Sequence, residues 1–236
     1  MCGRFAITAH DAVEIAEDLA REFGIVLGPQ QRERLERVHR PRYNVAPGQS
    51  HWLIDSNLHV HAGRWGFEHP RGTGLLFNAR SESVDRKASF SQSFLHGRAI
   101  VFCDGFYEWN TLGDRQPSLF RPRGLSLFAL AALIDQRPAA TDGDGRMPRD
   151  ADAPFCVLTV APNEMIAPLH PRMPALLGRR ASREWLEANT APQRAQALLR
   201  PAPVSAMSRT RVDSYVNDSA HDGPRCFGPP RQSSLF

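Results

Sequence analysis

Short β-type runs recur along this chain, most of them closed by Gly, Pro, Asn or Asp, and only brief helical stripes come between them. That punctuation restricts the fold more than any single motif. Met1 to Ile7 reads as a strand, His51 to Ile54 and Leu58 to Trp65 as a hairpin around Asp55-Ser56-Asn57, and Ala99 to Cys103, Leu125 to Ile134 and Phe155 to Val160 as further strands. Helical patterns fall at Ala9 to Phe23 with Thr8 as cap, at Gln30 to Arg40, Ser83 to His96 and Ser182 to Ala188, and at Pro192 to Leu199 with proline in the first helical position. Arg42 to Gly48 reads as a loop. Strands linked by turns rather than by regular crossover helices predict an α+β fold on a mainly antiparallel β-sheet or barrel-like core with flanking helices.

The chain has 236 residues, of which 42% are hydrophobic, enough for one large core. No repeat is visible, and residues 2–227 read as a single domain. Within it, Arg137 to Pro154 is rich in Asp, Gly, Ala and Pro and is expected to be an exposed insertion; residues 228–236 are expected to form a disordered tail. No stretch approaches the roughly 20 apolar residues of a membrane span, and acidic residues in place of a signal sequence near the start predict a cytoplasmic address. Cys2, Cys103, Cys156 and Cys226 are far apart and form no Cys-x-x-Cys pair. Reduced thiols are therefore expected, with neither a metal nor a cofactor called for. A formal charge of +4, carried almost wholly by arginine since Lys87 is the only lysine, permits a polyanionic partner without requiring one.

Removal of the first residue would leave Cys2 with a free α-amine beside its own thiol. An α-amine of pKa about 7.7–8.0 and a thiol of about 8.5 are both nucleophiles near neutrality. Amine attack on an aldehyde gives an imine, and thiol addition to that imine closes a five-membered thiazolidine, a ring no internal cysteine can build.

Five segments then carry a resemblance: Cys2-Gly3-Arg4-Phe5, Arg42 to Gly48, Phe77-Asn78-Ala79-Arg80-Ser81-Glu82, Cys103 to Trp109, and His170-Pro171-Arg172-Met173-Pro174. Taken together and in this order, they are similar to the SOS-response-associated peptidase (SRAP) family, whose members crosslink to abasic sites in single-stranded DNA. The resemblance spans about residues 2 to 220. It implies that Cys2 is the nucleophile, that Asn78 positions the cysteine amine and the sugar, that Glu108 lies beside the α-amine, and that His170 acts on the opened sugar. Those types suit the chemistry, since imine formation needs proton transfers that a buried carboxyl and a near-neutral histidine can supply.

Arg4, Arg80 and Arg172 each lie two residues beyond one of these positions, where a guanidinium could hold a phosphate flanking the abasic sugar. Asn44 and Pro47, in the second motif, complete the expected DNA contacts. Many relatives carry an aromatic platform between Trp-Gly and Asn-Ala-Arg, but His69 to Leu76 holds no Phe, Tyr or Trp. A stacking contact is therefore expected to be missing or supplied elsewhere. The family resemblance also implies self-removal of Met1, which a host methionine aminopeptidase could equally perform. The tail Gln232-Ser233-Ser234-Leu235-Phe236 resembles the pentapeptide that binds the bacterial sliding clamp, with Gln232, Leu235 and Phe236 as contacts. An N-terminal-nucleophile amidohydrolase would also use Cys2, and a non-covalent single-strand-binding module would use the arginines without it.

Overall fold

The computed structural model describes residues 2–8, 11–72, 74–110, 115–137 and 153–230. Most of the expected insertion and the tail residues Gln232, Leu235 and Phe236 lie outside the described residues.

The strands are β1 (Phe5–Ile7), β2 (Arg42–Val45), β3 (Ser50–Asp55), β4 (Val60–Arg64), β5 (Phe67–Glu68), β6 (Leu75–Leu76), β7 (Asn78–Arg80), β8 (Arg98–Cys103), β9 (Gly105–Trp109), β10 (Pro117–Pro122), β11 (Phe128–Ile134), β12 (Phe155–Val160), β13 (Met173–Pro174) and β14 (Met207–Arg211). They form a five-stranded sheet, β14-β10-β9-β1-β2, and a second sheet, β13-β12-β11-β8-β3-β4, to which β7 adds by pairing with β12; β5 and β6 make a small ribbon. Among the described residues the strand pairings are antiparallel except β7 with β12, and an isolated parallel bridge joins Trp65 to Phe155. The helices are α1 (Ala12–Asp18), α2 (Pro29–Val38), α3 (Ser91–His96), α4 (Arg179–Leu186) and α5 (Pro192–Leu198).

The α+β architecture on mainly antiparallel sheets is the expected one, and of the sheet and barrel-like forms it takes the open-sheet form. Among the described residues the outer strands of each sheet do not pair with one another, so both sheets stay open. Closure needs one consistent tilt and stagger around a ring, and strands of two to seven residues split over separate sheets do not provide it.

Strands β8 and β11 are fully buried at the centre of the second sheet and hydrophobic throughout except for Arg98 at the start of β8, and the main core gathers on them: Trp52, Trp65, Phe102, Phe106, Phe155 and Trp185 are all at most 1% exposed. Residues of β1 and β9 alternate between two cores. Phe5, Ile7 and Phe106 face the main core, whereas Ala6 and Tyr107 face a smaller one with Leu119, Val212, Val216 and Cys226. That alternation is the period-two rule of a strand buried on both faces. It also aims Glu108, two residues beyond Phe106, toward the main core.

Local differences have local causes. Helix α1 starts after Asp11, whose carboxylate accepts from the Val13 and Glu14 amides, while the Thr8 hydroxyl donates instead to Asp104 Oδ2 at 2.8 Å. The helix then passes into a π-turn, Leu19–Phe23, closed by Gly24 at φ +68°. Arg42–Val45 is strand rather than loop because it pairs with β1, with a register shift between Phe5 and Ile7. Of Ser83 to His96 only α3 is α-helical; buried Val84 and Phe90, six residues apart, do not share a helical face and are reached by successive turns.

Candidate active site

Four chain segments converge where the two sheets meet. Cys2 lies in the extended stretch leading into β1 and is fully buried. Its place is fixed by the β1–β9 ladder, which pairs Phe5 with Phe106 and continues through the Tyr107 amide to the Arg4 carbonyl at 3.0 Å. Asn78 opens β7, and its Nδ2 donates to the Cys2 carbonyl at 2.8 Å. Strand β7 is held there because Val157, Leu158 and Thr159 of β12 pair with Asn78, Ala79 and Arg80.

Glu108 lies on β9 and is only 2% exposed. His170 lies just ahead of β13, with its Nδ1 3.9 Å from Glu108 Oε1. The imidazole orientation is set by the main chain of Arg172, whose N–H and carbonyl oxygen lie 3.1 and 2.9 Å from the same Nδ1. Neither Glu108 Oε1 nor Asn78 Oδ1 has a hydrogen-bond partner among the described residues, although both atoms are buried. Buried oxygens left without partners are costly in a protein with no use for them.

Burial governs the protonation of all three titratable groups. It pushes the Cys2 thiol well above its ordinary value, and the nearby Glu108 charge pushes it further. It raises the Glu108 carboxyl to about 7 and lowers the His170 imidazole. Near neutrality the site therefore holds a protonated thiol, a carboxyl close to half-protonated, and a largely neutral imidazole. Such a set can move protons in either direction at little cost.

Beside these groups opens a cleft of about 380 Å³ lined by Gly3, Arg4, Pro47, Phe77, Trp109, Arg115 and Asn217. Phe77 and Trp109 are the aromatic residues that the sequence reading did not place. Phe77 lies one residue beyond His69–Leu76, and Trp109 comes from another strand. Buried Trp65 supports Phe77 from below, meeting its ring edge-on at 6.1 Å and donating from Nε1 to its carbonyl at 2.8 Å. Trp109 is held by Asn217 Oδ1 at 2.6 Å.

The expected DNA-contact residues separate into different environments. Arg80 is exposed at the end of β7 and makes no side-chain hydrogen bond or ion pair with the described residues. Arg172 is engaged by Glu82, with contacts at 2.6 and 2.9 Å, and also reaches the Thr159 carbonyl. Arg4 borders the cleft, yet its guanidinium donates to Asn44 Oδ1 at 2.8 Å, Val216 O at 2.7 Å and Asn217 O at 3.1 Å. Asn44 is fully buried, and its Nδ2 donates to the carbonyls of Val216, Asp218 and His221. In this arrangement its side chain fixes Arg4 and the C-terminal segment rather than facing a ligand. Pro47 lines the cleft directly.

An open two-sheet α+β frame thus brings buried Cys2 together with Asn78, Glu108 and His170, next to an aromatic, arginine-bordered cleft. The chain belongs to the SOS response associated peptidase (SRAP) family, whose model matches residues 1–219. It is 30% identical to the abasic site processing protein YoqW of Bacillus subtilis, over 95% of this chain and 97% of that one. It is likewise 30% identical to the abasic site processing protein YedK of Escherichia coli, over 97% and 100%, and to the abasic site processing protein HMCES of Gallus gallus, over 85% and 70%. The fold is shared with a solved protein of Bacteroides thetaiotaomicron, at a TM-score of 0.80 and 19% identity over 98% of this chain and 100% of that one.

Proposed function

We propose that this chain processes abasic sites in single-stranded DNA by forming a covalent crosslink through Cys2. The observation that carries the reading is the 2.8 Å bond from Asn78 Nδ2 to the Cys2 carbonyl, which sets the start of the chain beside buried Glu108 and His170. The names of the relatives point to the same substrate.

Loss of Met1, by the chain's own groups or by an aminopeptidase, frees the Cys2 amine. The amine adds to the C1′ aldehyde of the ring-opened deoxyribose, giving a carbinolamine. Its hydroxyl takes a proton and leaves as water, so that an iminium ion forms. Glu108, raised to about 7, is suited to donate that proton and then, as carboxylate, to accept the thiol proton. The Cys2 sulfur adds to the iminium carbon, the nitrogen keeps its proton and becomes neutral, and the thiazolidine closes. The raised thiol pKa makes a neighbouring base necessary for this last addition. His170 is assigned the proton exchange with a sugar oxygen during ring opening. Since the protein is consumed, the reaction is a single turnover.

In this reading Arg80 and Arg172 hold the phosphates flanking the lesion, and Arg4 with Pro47 shapes the cleft. Phe77 and Trp109 offer faces for neighbouring bases, each stacking contact contributing about 1–3 kcal/mol. The tail adds the bacterial sliding clamp as a second partner through Gln232, Leu235 and Phe236, and a clamp pull-down is expected to fail when Leu235 and Phe236 are changed to alanine.

The deciding experiment mixes the purified protein with single-stranded DNA containing one abasic site and separates the products under denaturing conditions. A shifted band is expected for the wild type, and a far more labile one for Cys2→Ser. Absence of the wild-type band, or an equally stable Cys2→Ser band, contradicts the proposal.

A further inference from the structure

At the tip of the β3–β4 hairpin, three side chains from the seven residues Asp55 to His61 gather donor atoms within 4.8 Å of one another. None of them lines the cleft. We propose that Asp55, His59 and His61 form a binding site for a first-row transition-metal ion of the zinc type, with the fourth position left to water or a further ligand.

The donor set selects the ion. Two imidazoles and one carboxylate suit zinc and its neighbours, whereas magnesium and calcium favour oxygen ligands. The hairpin prepares the ligands. Asp55 Oδ1 accepts from the Asn57 amide at 2.8 Å and the His59 amide at 2.9 Å, which turns Oδ2 toward the histidines. Oδ2 lies 2.9 Å from His61 Nε2 and 3.6 Å from His59 Nδ1. Ligand bonds of about 2.0–2.2 Å place tetrahedral donors about 3.3 Å apart, so these atoms need shift by about an ångström or less to enclose an ion.

The two imidazole planes stand at 77° with centroids 6.2 Å apart, so the rings do not stack and their nitrogen lone pairs can converge. The His59 side chain is 57% exposed, which gives an ion access from water. A plain Asp–His pair would need only His61. The second imidazole facing the same oxygen is what distinguishes a ligand set from a simple ion pair.

The test titrates Zn²⁺ calorimetrically, and Co²⁺ by its visible spectrum, into the full chain and into its Cys2→Ala variant, which removes a competing amine–thiol chelate. One Zn²⁺ per chain is expected in both, with tetrahedral Co²⁺ bands lacking thiolate charge transfer. His59→Gln and His61→Gln should each weaken binding by about tenfold or more while melting as the wild type does without metal. The proposal is overturned if no ion binds, if binding disappears with Cys2→Ala, or if either histidine variant binds as tightly as the wild type. Abasic-site crosslinking uses none of these residues, so that reading stands or falls separately.

Discussion

Oε1 of Glu108 faces Nδ1 of His170 at 3.9 Å, joining a carboxyl on the five-stranded sheet to an imidazole next to an outer strand of the other. Burial disfavours the charge on each, raising one and lowering the other. Glu108 thus holds a proton more readily, and His170 less readily, than either group does in water, which suits the carboxyl to an acid role and the imidazole to a base role.

Glu108→Gln keeps the shape of the site and removes its titration. Crosslinking in a single-turnover assay is expected to slow by about 100-fold, in the range usual for loss of a general acid–base group, with little change in DNA affinity. The wild-type rate should also show an inflection near pH 7 that the variant lacks. An unchanged pH profile would assign the proton transfers to another group.

The same substitution has a stability consequence of definite sign. Glu108 titrates near 7 in the folded protein and at 4.5 in the unfolded chain, so between these values the folded state binds the additional proton. Stability from this group is complete below pH 4.5 and is lost as pH rises through about 7. Glu108→Gln should therefore gain relative to the wild type on going from pH 4 to pH 8, by up to about 3 kcal/mol. Urea unfolding at the two pH values measures it.

Asn78→Ala removes the donor to the Cys2 carbonyl while leaving the β7–β12 pairing intact. A Cys2 segment that is less well held should crosslink about 10- to 100-fold more slowly, because misplacement by an ångström is enough for such a loss. Fluorescence anisotropy with abasic DNA should give an unchanged Kd; a parallel fall in affinity would mean that Asn78 mainly holds DNA.

Glu82 occupies the guanidinium of Arg172, which in turn keeps its carboxylate below the usual range. A phosphate reaching Arg172 must displace it. Glu82→Gln is therefore expected to tighten single-stranded DNA binding several-fold at low salt, with the gain shrinking as salt rises. Thermal stability should change by less than about 1 kcal/mol, since the carboxylate is largely exposed.

Arg4 and Arg80 look equivalent in the sequence, and their replacements should behave differently. Arg80→Ala should weaken DNA binding, reduce the salt slope by about one and leave stability unchanged. Arg4→Ala abandons the Asn44 side chain and the carbonyls of Val216 and Asn217, so it should cost about 2 kcal/mol or more of stability. Denaturation and salt-dependent binding, run on both variants, separate the two roles.

Fold class and the principal chemical groups were legible in the residues because both depend on local pattern. The apolar run Phe155 to Val160 is a strand with the expected ends, and Pro192 opens α5 as its fixed φ allows. Arg42–Val45 was not legible as a strand, since it is one only through pairing with β1. The sequence alone determined which groups the chain could bring to the proposed site: a cysteine at position 2, an amide, a carboxyl, an imidazole and many guanidiniums. Only the tertiary structure decided that Glu108 is buried and titrates near 7, that Phe77 and Trp109 share one cleft, and that Asn44 holds Arg4 instead of facing outward. Burial and proximity across two sheets belong to no short stretch of chain, and these set both the pKa values and the partner each arginine finds.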